Sequence, residues 1–360
     1  MVASGHRLSG VAGLVALADS TAVAAYEKCF GRLPECTNRV FVKRSTDGGR
    51  SWGVRLGIGG ANAEMAAVAG LGTDVDLVWQ DGDGGVRYAR SANAGVSFGR
   101  PRLLSPWGTE PSVARGPNGL VAIGWGGDDA SGQPRYSVGV STDGGRTFGS
   151  KTSWETSVLW APERSAVAVG DGVVYVAYIA ADAPFEAGGP LLLRRSRDAG
   201  ATWSKAWKLE ESGGRSDSDD RSGPSISAEG SDAYIAYSIT DGLGQFQVLY
   251  SRTRNSGRTW STPAPLSADP SDNPQISIRD GVVSAVFRRL TDTSVEGLYR
   301  GQLVYRRSSD GINWTAPDPI STSDRLRIAR GLGSIENAIL VLYLDAQGVL
   351  ARTCAHPACE

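Results

Sequence analysis

Ser45-Thr46-Asp47-Gly48-Gly49-Arg50-Ser51-Trp52 is the stretch whose reading decides the fold. It returns almost intact as Ser141-Thr142-Asp143-Gly144-Gly145-Arg146-Thr147-Phe148, and again as Ser196–Trp203 (SRDAGATW) and Thr253–Trp260 (TRNSGRTW). Two looser copies are Ser91–Phe98 (SANAGVSF) and Ser308–Trp314 (SSDGINW), the last one residue shorter. Six copies spaced 46 to 57 residues apart have the period of an array of small sheets.

The octet has the chemistry of a hairpin turn. Asp or Asn at the third position accepts backbone N–H groups within its own turn. Gly at the fifth supplies a positive φ without a Cβ clash. The closing Trp or Phe is aimed at the sheet, where an aromatic buries about 150–250 Å². On that basis Trp203→Ala is expected to cost ~3–5 kcal/mol as a core truncation. The octets resemble the Asp-box (BNR) repeat of the sialidase superfamily. The resemblance implies a β-propeller, with the box as a structural turn far from the active site.

Composition agrees with an all-β chain. The 360 residues include 47 Gly and 10 Trp, with 41% hydrophobic residues and a net charge of −1. Near-neutrality argues against a general nucleic-acid surface. No run approaches the ~20 apolar residues of a membrane-spanning helix. Met1–Ala3 begins without a cationic-then-apolar export signal. Arginines outnumber lysines 32 to 5; codon composition explains that as well as carboxylate recognition does, so single arginines count only by placement.

Cys29 with Cys36 and Cys354 with Cys359 form two close pairs. They suggest two local disulfides and an extracellular or cell-envelope location. Zinc is the competing reading, but His6 and His356 are the only histidines, an incomplete ligand set. No metal or other cofactor is expected.

Between the octets, short β-branched and aromatic runs alternate with Gly and Asp turns, as strands and hairpins do. Second strands of successive repeats are read at Ala22–Tyr26, Val75–Trp79, Leu120–Trp125, Val173–Tyr178, Ala233–Tyr237, Val282–Phe287 and Ile339–Tyr343. Seven repeats over the chain give four-stranded propeller blades in one domain, residues 1–360. Six blades is the runner-up. The seventh repeat has a third strand near Gly348–Thr353 and then stops. Its outer edge is closed either by Met1–Gly5 or by the Cys354–Cys359 loop. The aromatic that ends each second strand is read as inter-blade packing.

With the first strand innermost, the boxes join strands three and four on one face of the disc. The opposite face carries the loops after each second strand and the starts of the first strands, and its central mouth is the expected ligand site. Blades two to four enter through Glu64, Glu110 and Glu163, the last followed by Arg164. Blades one, five and seven enter through Arg7, Arg221 and Arg325 with Arg327. After second strands come Glu27 and Lys28, Gln80 and Asp81, Asp128 and Asp129, and Arg288 and Arg289. Such a divided ring suits a carbohydrate or other polar, partly anionic ligand, arginines gripping carboxylates and acids accepting hydroxyls. The competing reading is solvated loop-edge charge with ion-pair partners. Aromatics off the repeat, Phe30, Trp107, Trp160 and Phe185, are candidate stacking residues. Asp217, Asp219 and Asp220 could attract calcium, but a plain solvated acidic loop is by far the stronger reading of them.

The sialidase resemblance implies an arginine trio, a tyrosine nucleophile with a glutamate, and an aspartate acid/base. Tested residue by residue, Arg7-Leu8-Ser9 is the nearest to the first arginine's motif, Arg288 and Arg325 or Arg327 the nearest to the others. No Tyr–Glu pair stands out, and only Glu27 and Glu35 lie where the acid/base belongs. A two-carboxylate glycosidase built on Glu64, Glu110 and Glu163 is the catalytic alternative. Three readings follow: a secreted propeller binding a glycan without turnover, a glycoside hydrolase at the same mouth, and a non-catalytic interaction propeller.

Overall fold

In the computed structural model the chain closes into a ring of seven antiparallel blades. The structure describes residues 2–4, 13–18, 20–31, 37–155, 165–180, 189–213, 223–240, 246–292, 300–320, 328–335, 338–345, 348–355 and 358–359. Seven inner strands surround the axis: Gly13–Ala16, Glu64–Leu71, Thr109–Arg115, Ser165–Gly170, Ser225–Glu229, Ser271–Arg279 and Ile328–Ile335. Blades one to six step outward in chain order; blade two runs Glu64–Leu71, Asp74–Gln80, Val86–Ser91, Arg102–Ser105. Among the described residues the only helical turn is the 3-10 turn Pro117–Gly119.

Blade seven draws its outer strand from the start of the chain. Ala3 pairs with Val349 and Ser4 with Gly348. Farther along the same edge, Ala358–Cys359 pairs with Ala355 and Cys354. Both closures that the sequence offers are therefore used, on different halves of Gly348–Ala355. Blades four and five are also joined, by a single Gly213–Ile239 bridge.

The seven second-strand aromatics, Tyr26, Trp79, Trp125, Tyr178, Tyr237, Phe287 and Tyr343, are each at most 6% exposed. They sit in clusters that mix neighbouring blades; Trp79 packs with Val23, Ala25 and Val42 of blade one. The blades also approach very closely where a glycine allows it. A Cβ on Gly331 of blade seven would lie 2.5 Å from the Leu14 Cβ of blade one.

Each octet lies between the third and fourth strands of its blade, as Ser45–Trp52 does between Thr37–Ser45 and Leu56–Gly57. The Ser45 hydroxyl accepts the Gly49 N–H at 2.9 Å, and Asp47 Oδ1 accepts the Ser51 N–H at 2.9 Å. The octet glycine has a second duty besides its positive φ. It abuts the preceding blade: a Cβ on Gly257 (φ 72°) would lie 2.9 Å from the Tyr175 ring. The octet aromatic is half-buried rather than core. It meets an aromatic of the preceding blade edge to face, Phe148 on Tyr88 at 81° and Trp203 on Trp154 at 84°. Trp260 on Tyr175 and Trp314 on Tyr250 repeat the arrangement at 86° and 76°.

The octets share a face with the turns between first and second strands. Gly48 N–H donates to the Ser20 carbonyl at 2.8 Å, Ala94 to Thr73 at 2.7 Å and Gly144 to Gly119 at 2.8 Å. The opposite face is therefore formed by inner-strand starts and second-strand ends. Between the two faces runs a central cavity of about 690 Å³, lined by all seven inner strands, among them Leu14, Val68, Val113, Val167, Ile226 and Leu332.

Candidate functional site

The mouth opposite the octets is built from a repeated irregularity. The inner strands of blades two, three and six each slip register just after entry, between Glu64 and Ala67, Thr109 and Ser112, and Asp272 and Gln275. Each slip places a non-glycine residue in the left-handed region: Met65 (φ 56°), Glu110 (φ 46°) and Asn273 (φ 52°). Such conformations cost of order 1–3 kcal/mol each and concentrate where a binding site needs a side chain re-aimed.

A side chain from the adjacent blade holds the first of these bulges. Glu27, 1% exposed within blade one's second strand Ala22–Phe30, accepts the Met65 N–H and, at 3.3 Å, the Ala66 N–H. The bulge turns those two amides outward, and the carboxylate satisfies them across the seam. Asn38 Nδ2 donates to Glu64 Oε2 at 3.4 Å. Thr109 Oγ1 meets Met65 Sδ at 3.4 Å, which carries the contact on to blade three. Glu27, Asn38, Glu64, Met65, Thr109 and Glu110 thus form one continuous arc across blades one to three.

Blade six answers with a buried ion pair. Asp272 and Arg288 face each other in register and are 2% and 1% exposed. Arg288 Nε donates to Asp272 Oδ1 at 2.7 Å, and the second guanidinium nitrogen takes the other oxygen. A bidentate pair of this kind fixes geometry more than it attracts ligand. Beside it Arg289 reaches Gln302 Oε1 at 3.0 Å.

The sequence-predicted residues divide accordingly. Glu64 and Glu110 are half-buried on the arc. Arg288 is committed to Asp272. Asp81 is bound by Arg87, which also holds Asp83 at 3.0 Å, and Asp129 is bound by Arg135; these two match the loop-edge reading. Asp128 is exposed. Arg7, Glu163, Arg164, Arg221, Arg325 and Arg327 lie outside the described residues, as do Trp160, Phe185 and Asp217, Asp219 and Asp220. Phe30 is 37% and Trp107 53% exposed, and the Arg55 guanidinium stands 5.7 Å over Phe30 and 5.0 Å over Phe41. Asn38, Met65, Thr109, Asp272 and Asn273 escape a sequence reading. Pro111 and Pro274, each directly after a bulge residue, were the available signal. Among the described residues no group of three or more His, Cys, Asp or Glu side chains has the proximity to hold a metal ion. No helix among them is long and apolar enough to cross a membrane.

With that geometry in hand, the chain can be set beside solved structures. An ulvan lyase, a polysaccharide lyase, superposes with a TM-score of 0.59 at 12% identity, covering 99% of this chain and 96% of that one. A Hadza microbial sialidase gives 0.52 at 16% identity, covering 78% of this chain and 64% of that one. The Aleuria aurantia lectin gives 0.53 at 9% identity, over 99% and 96% of the two chains. The fold these structures share with the chain is the β-propeller. The chain spans under two thirds of that sialidase's length, and identities this low show the fold alone. No family model and no curated protein matches the sequence.

Proposed function

We propose that this propeller binds a glycan at the mouth opposite its octets, without turning it over. One observation carries the reading: three strained bulges at equivalent positions, two of them on a continuous arc that presents Glu64 and Glu110 half-buried beside Asn38 and Thr109. Carboxylates and amides so placed accept and donate to sugar hydroxyls, and a rigid arc limits the entropy lost on binding. That solved propellers of this fold include sialidases, a polysaccharide lyase and a lectin solved with a fucosylated sugar supports a sugar ligand. Arg7, Arg164, Arg221 and Arg325 would supply the cationic side for an acidic sugar. A glycan array with the purified chain tests this. Binding that falls about tenfold in Glu64→Gln or Glu110→Gln, roughly one charge-assisted hydrogen bond, is the expected result. No binding to any glycan would overturn it.

A second reading, a glycoside hydrolase using Glu64, Glu110 and Glu163, is favoured by the backbone of Glu110. Strain stored in a non-glycine carboxylate is a feature of active sites. Release of reducing ends from a bound glycan, lost in Glu110→Gln, would select this reading over the first.

The single domain, the disulfides and the extracellular or envelope location belong to the same proposal. Cys354 and Cys359 are register partners on adjacent strands, and no described cysteine is free. Cys36 lies outside the described residues. Alkylation before reduction should leave all four cysteines unmodified in the mass spectrum.

A further inference from the structure

The outer rim of the ring carries a second feature, at the seam between blades four and five. A groove of about 190 Å³ opens there between Tyr175, Arg195, Lys205, Trp207, Arg258 and Trp260, with Arg194 behind them. Trp207 is 46% exposed. Trp260 meets Tyr175 edge to face at 6.1 Å. Tyr175 is 1% exposed, and its buried hydroxyl has no hydrogen-bond partner among the described residues. Burial pushes that phenol up to about 12, so it stays a protonated donor. A buried donor left unmade is destabilising, and an incoming acceptor would relieve that cost.

Among the described residues no carboxylate pairs with the cations of the groove. Arg195 donates to the Ser256 carbonyl, a tie to the next blade's octet. Arg194 is held by Tyr178 Oη at 3.1 Å and the Ser204 carbonyl at 3.0 Å. Lys205 and Arg258 are exposed, and none of the four enters an ion pair with a described residue.

The equivalent seam between blades one and two shows that the fold does not require this chemistry. Counting from each octet, Val54 stands where Lys205 does, Leu56 where Trp207 does, and Val96 where Arg258 does. Val23 stands where Tyr175 does. Arg44 repeats the Arg195 tie, donating to the Ala94 carbonyl at 2.9 Å. A groove forms there as well, lined by Arg44, Trp52, Val54, Leu56 and Val96. The tie is scaffold. Arg258 is the octet's own arginine, as Arg50 and Arg146 are, and Tyr175 recurs as Tyr234 in blade five; Lys205 together with Trp207 is what is particular to the seam of blades four and five.

We propose that this seam is a binding site for one anionic sugar unit, a pyranose carrying a sulfate or carboxylate group. The sugar's apolar face lies on Trp207, its anionic group sits between Lys205 and Arg258, and the Tyr175 hydroxyl donates to it. The groove is smaller than the roughly 300 Å³ at which pockets for drug-sized ligands begin, which suits a single unit of a longer chain. The site stands apart from the mouth and does not depend on what binds there.

The test titrates the full chain with a dextran sulfate oligosaccharide, following tryptophan fluorescence and heat. Unsulfated dextran of the same length, sodium sulfate and a single-stranded oligodeoxynucleotide of equal charge are run in parallel. Dextran sulfate should bind, with affinity falling as salt rises, and each of the other three should bind more weakly by about tenfold or more. Lys205→Glu with Arg258→Glu should reduce affinity about a hundredfold, the worth of two charge-assisted bonds. Trp207→Ala, at an exposed position, keeps the fold and should cost about tenfold. Tyr175→Phe should weaken binding with no loss of thermal stability. Unchanged affinity in the double variant or in Trp207→Ala would overturn the proposal. So would equal binding of the oligodeoxynucleotide, which would mark a general polyanion surface, or equal binding of sulfate ion, which would leave the sugar no role.

Discussion

The aspartates of the octets lie at the surface, Asp198 exposed and Asp47, Asp143 and Asp310 partly so, yet their carboxyls are strongly perturbed. Hydrogen bonds from Ser51 and Ser45 hold Asp47 at about 2, and those from Thr202 and Ser196 hold Asp198 at about 2. Asp143 and Asp310 are lowered by the same kind of bonds. A carboxyl lowered by folding contributes stability above its unfolded pKa, about 4. That contribution is lost as pH falls through the folded value. Acid should therefore destabilise the protein between about pH 4 and 2, where the unfolded chain takes up more protons. Nature has run the control within this chain. Asn93 and Asn255 accept the Ser97 and Thr259 N–H groups at 3.0 Å, as the aspartates do in their octets, but carry no titrating group. The fourfold variant Asp47→Asn, Asp143→Asn, Asp198→Asn, Asp310→Asn should fold at pH 7 and shift its acid midpoint lower, by circular dichroism. An unchanged midpoint would place the acid lability elsewhere. A different residue-scale effect lies under the third octet, where Asp76 (0% exposed side chain) receives Arg115 and, at 2.5 Å, the Tyr88 hydroxyl. That burial and the Asp76 charge push the Tyr88 phenol far above its usual range. Asp76→Ala leaves the buried guanidinium of Arg115 (3% exposed) with only Asp74 and the Gly144 carbonyl. It should cost about 3–5 kcal/mol in urea melts, as broken buried pairs do.

At the scale of the element, the octet hairpin is a clasp between blades. Its aromatic is half-buried and meets its neighbour edge-on, so the ~3–5 kcal/mol expected of a fully buried ring is too much. Trp203→Ala should cost about 2–3 kcal/mol, because the Trp154 contact and the Nε1 bond to the Gly200 carbonyl are lost while part of the ring was already in water. A loss below about 1 kcal/mol in denaturant melts would show that the clasp is ornamental. The octet's turn chemistry was legible because it is local: Asp, Gly and the aromatic act within eight residues. Its function as a clasp was not, because the atoms that Gly145 and Trp203 touch belong to the preceding blade. The same limit governs the mouth. β-Branched and aromatic runs between Gly and Asp turns identified the second strands, which are buried on both faces. The bulges at Met65, Glu110 and Asn273 break alternation by one residue, and Glu27 reads as a mouth charge although it is spent on the Met65 and Ala66 amides. The charge of Arg288 was legible; its partner Asp272, on another strand, was not.

For the whole molecule the decisive feature is closure, because a ring has one seam where covalent continuity does not help. The sequence showed that blade seven lacked an outer strand, but pairing of both termini on one strand depends on their distance in space. Ala3–Ser4 supplies a short pairing there, and Val2 anchors it: its N–H donates to the Val349 carbonyl at 3.1 Å, and its side chain is fully buried. Val2 joins a cluster with Leu14 and Tyr26 of blade one and Leu340 and Leu342 of blade seven. An ionised side chain in that cluster would be desolvated without a partner. Val2→Asp should therefore lower stability by about 2–4 kcal/mol, whereas Val96→Asp, at a position 62% exposed, should be within about 0.5 kcal/mol of the parent. Because the loss falls on the seam, it should also be uneven. Amide exchange should quicken in Ala338–Asp345 and Gly348–Ala355 and remain slow in Val121–Asp128, on the far side of the ring, for as long as opening is local. Equal acceleration in all three strands would mean that the ring opens only by unfolding as a unit, and that the terminal strand stabilises every blade rather than the last.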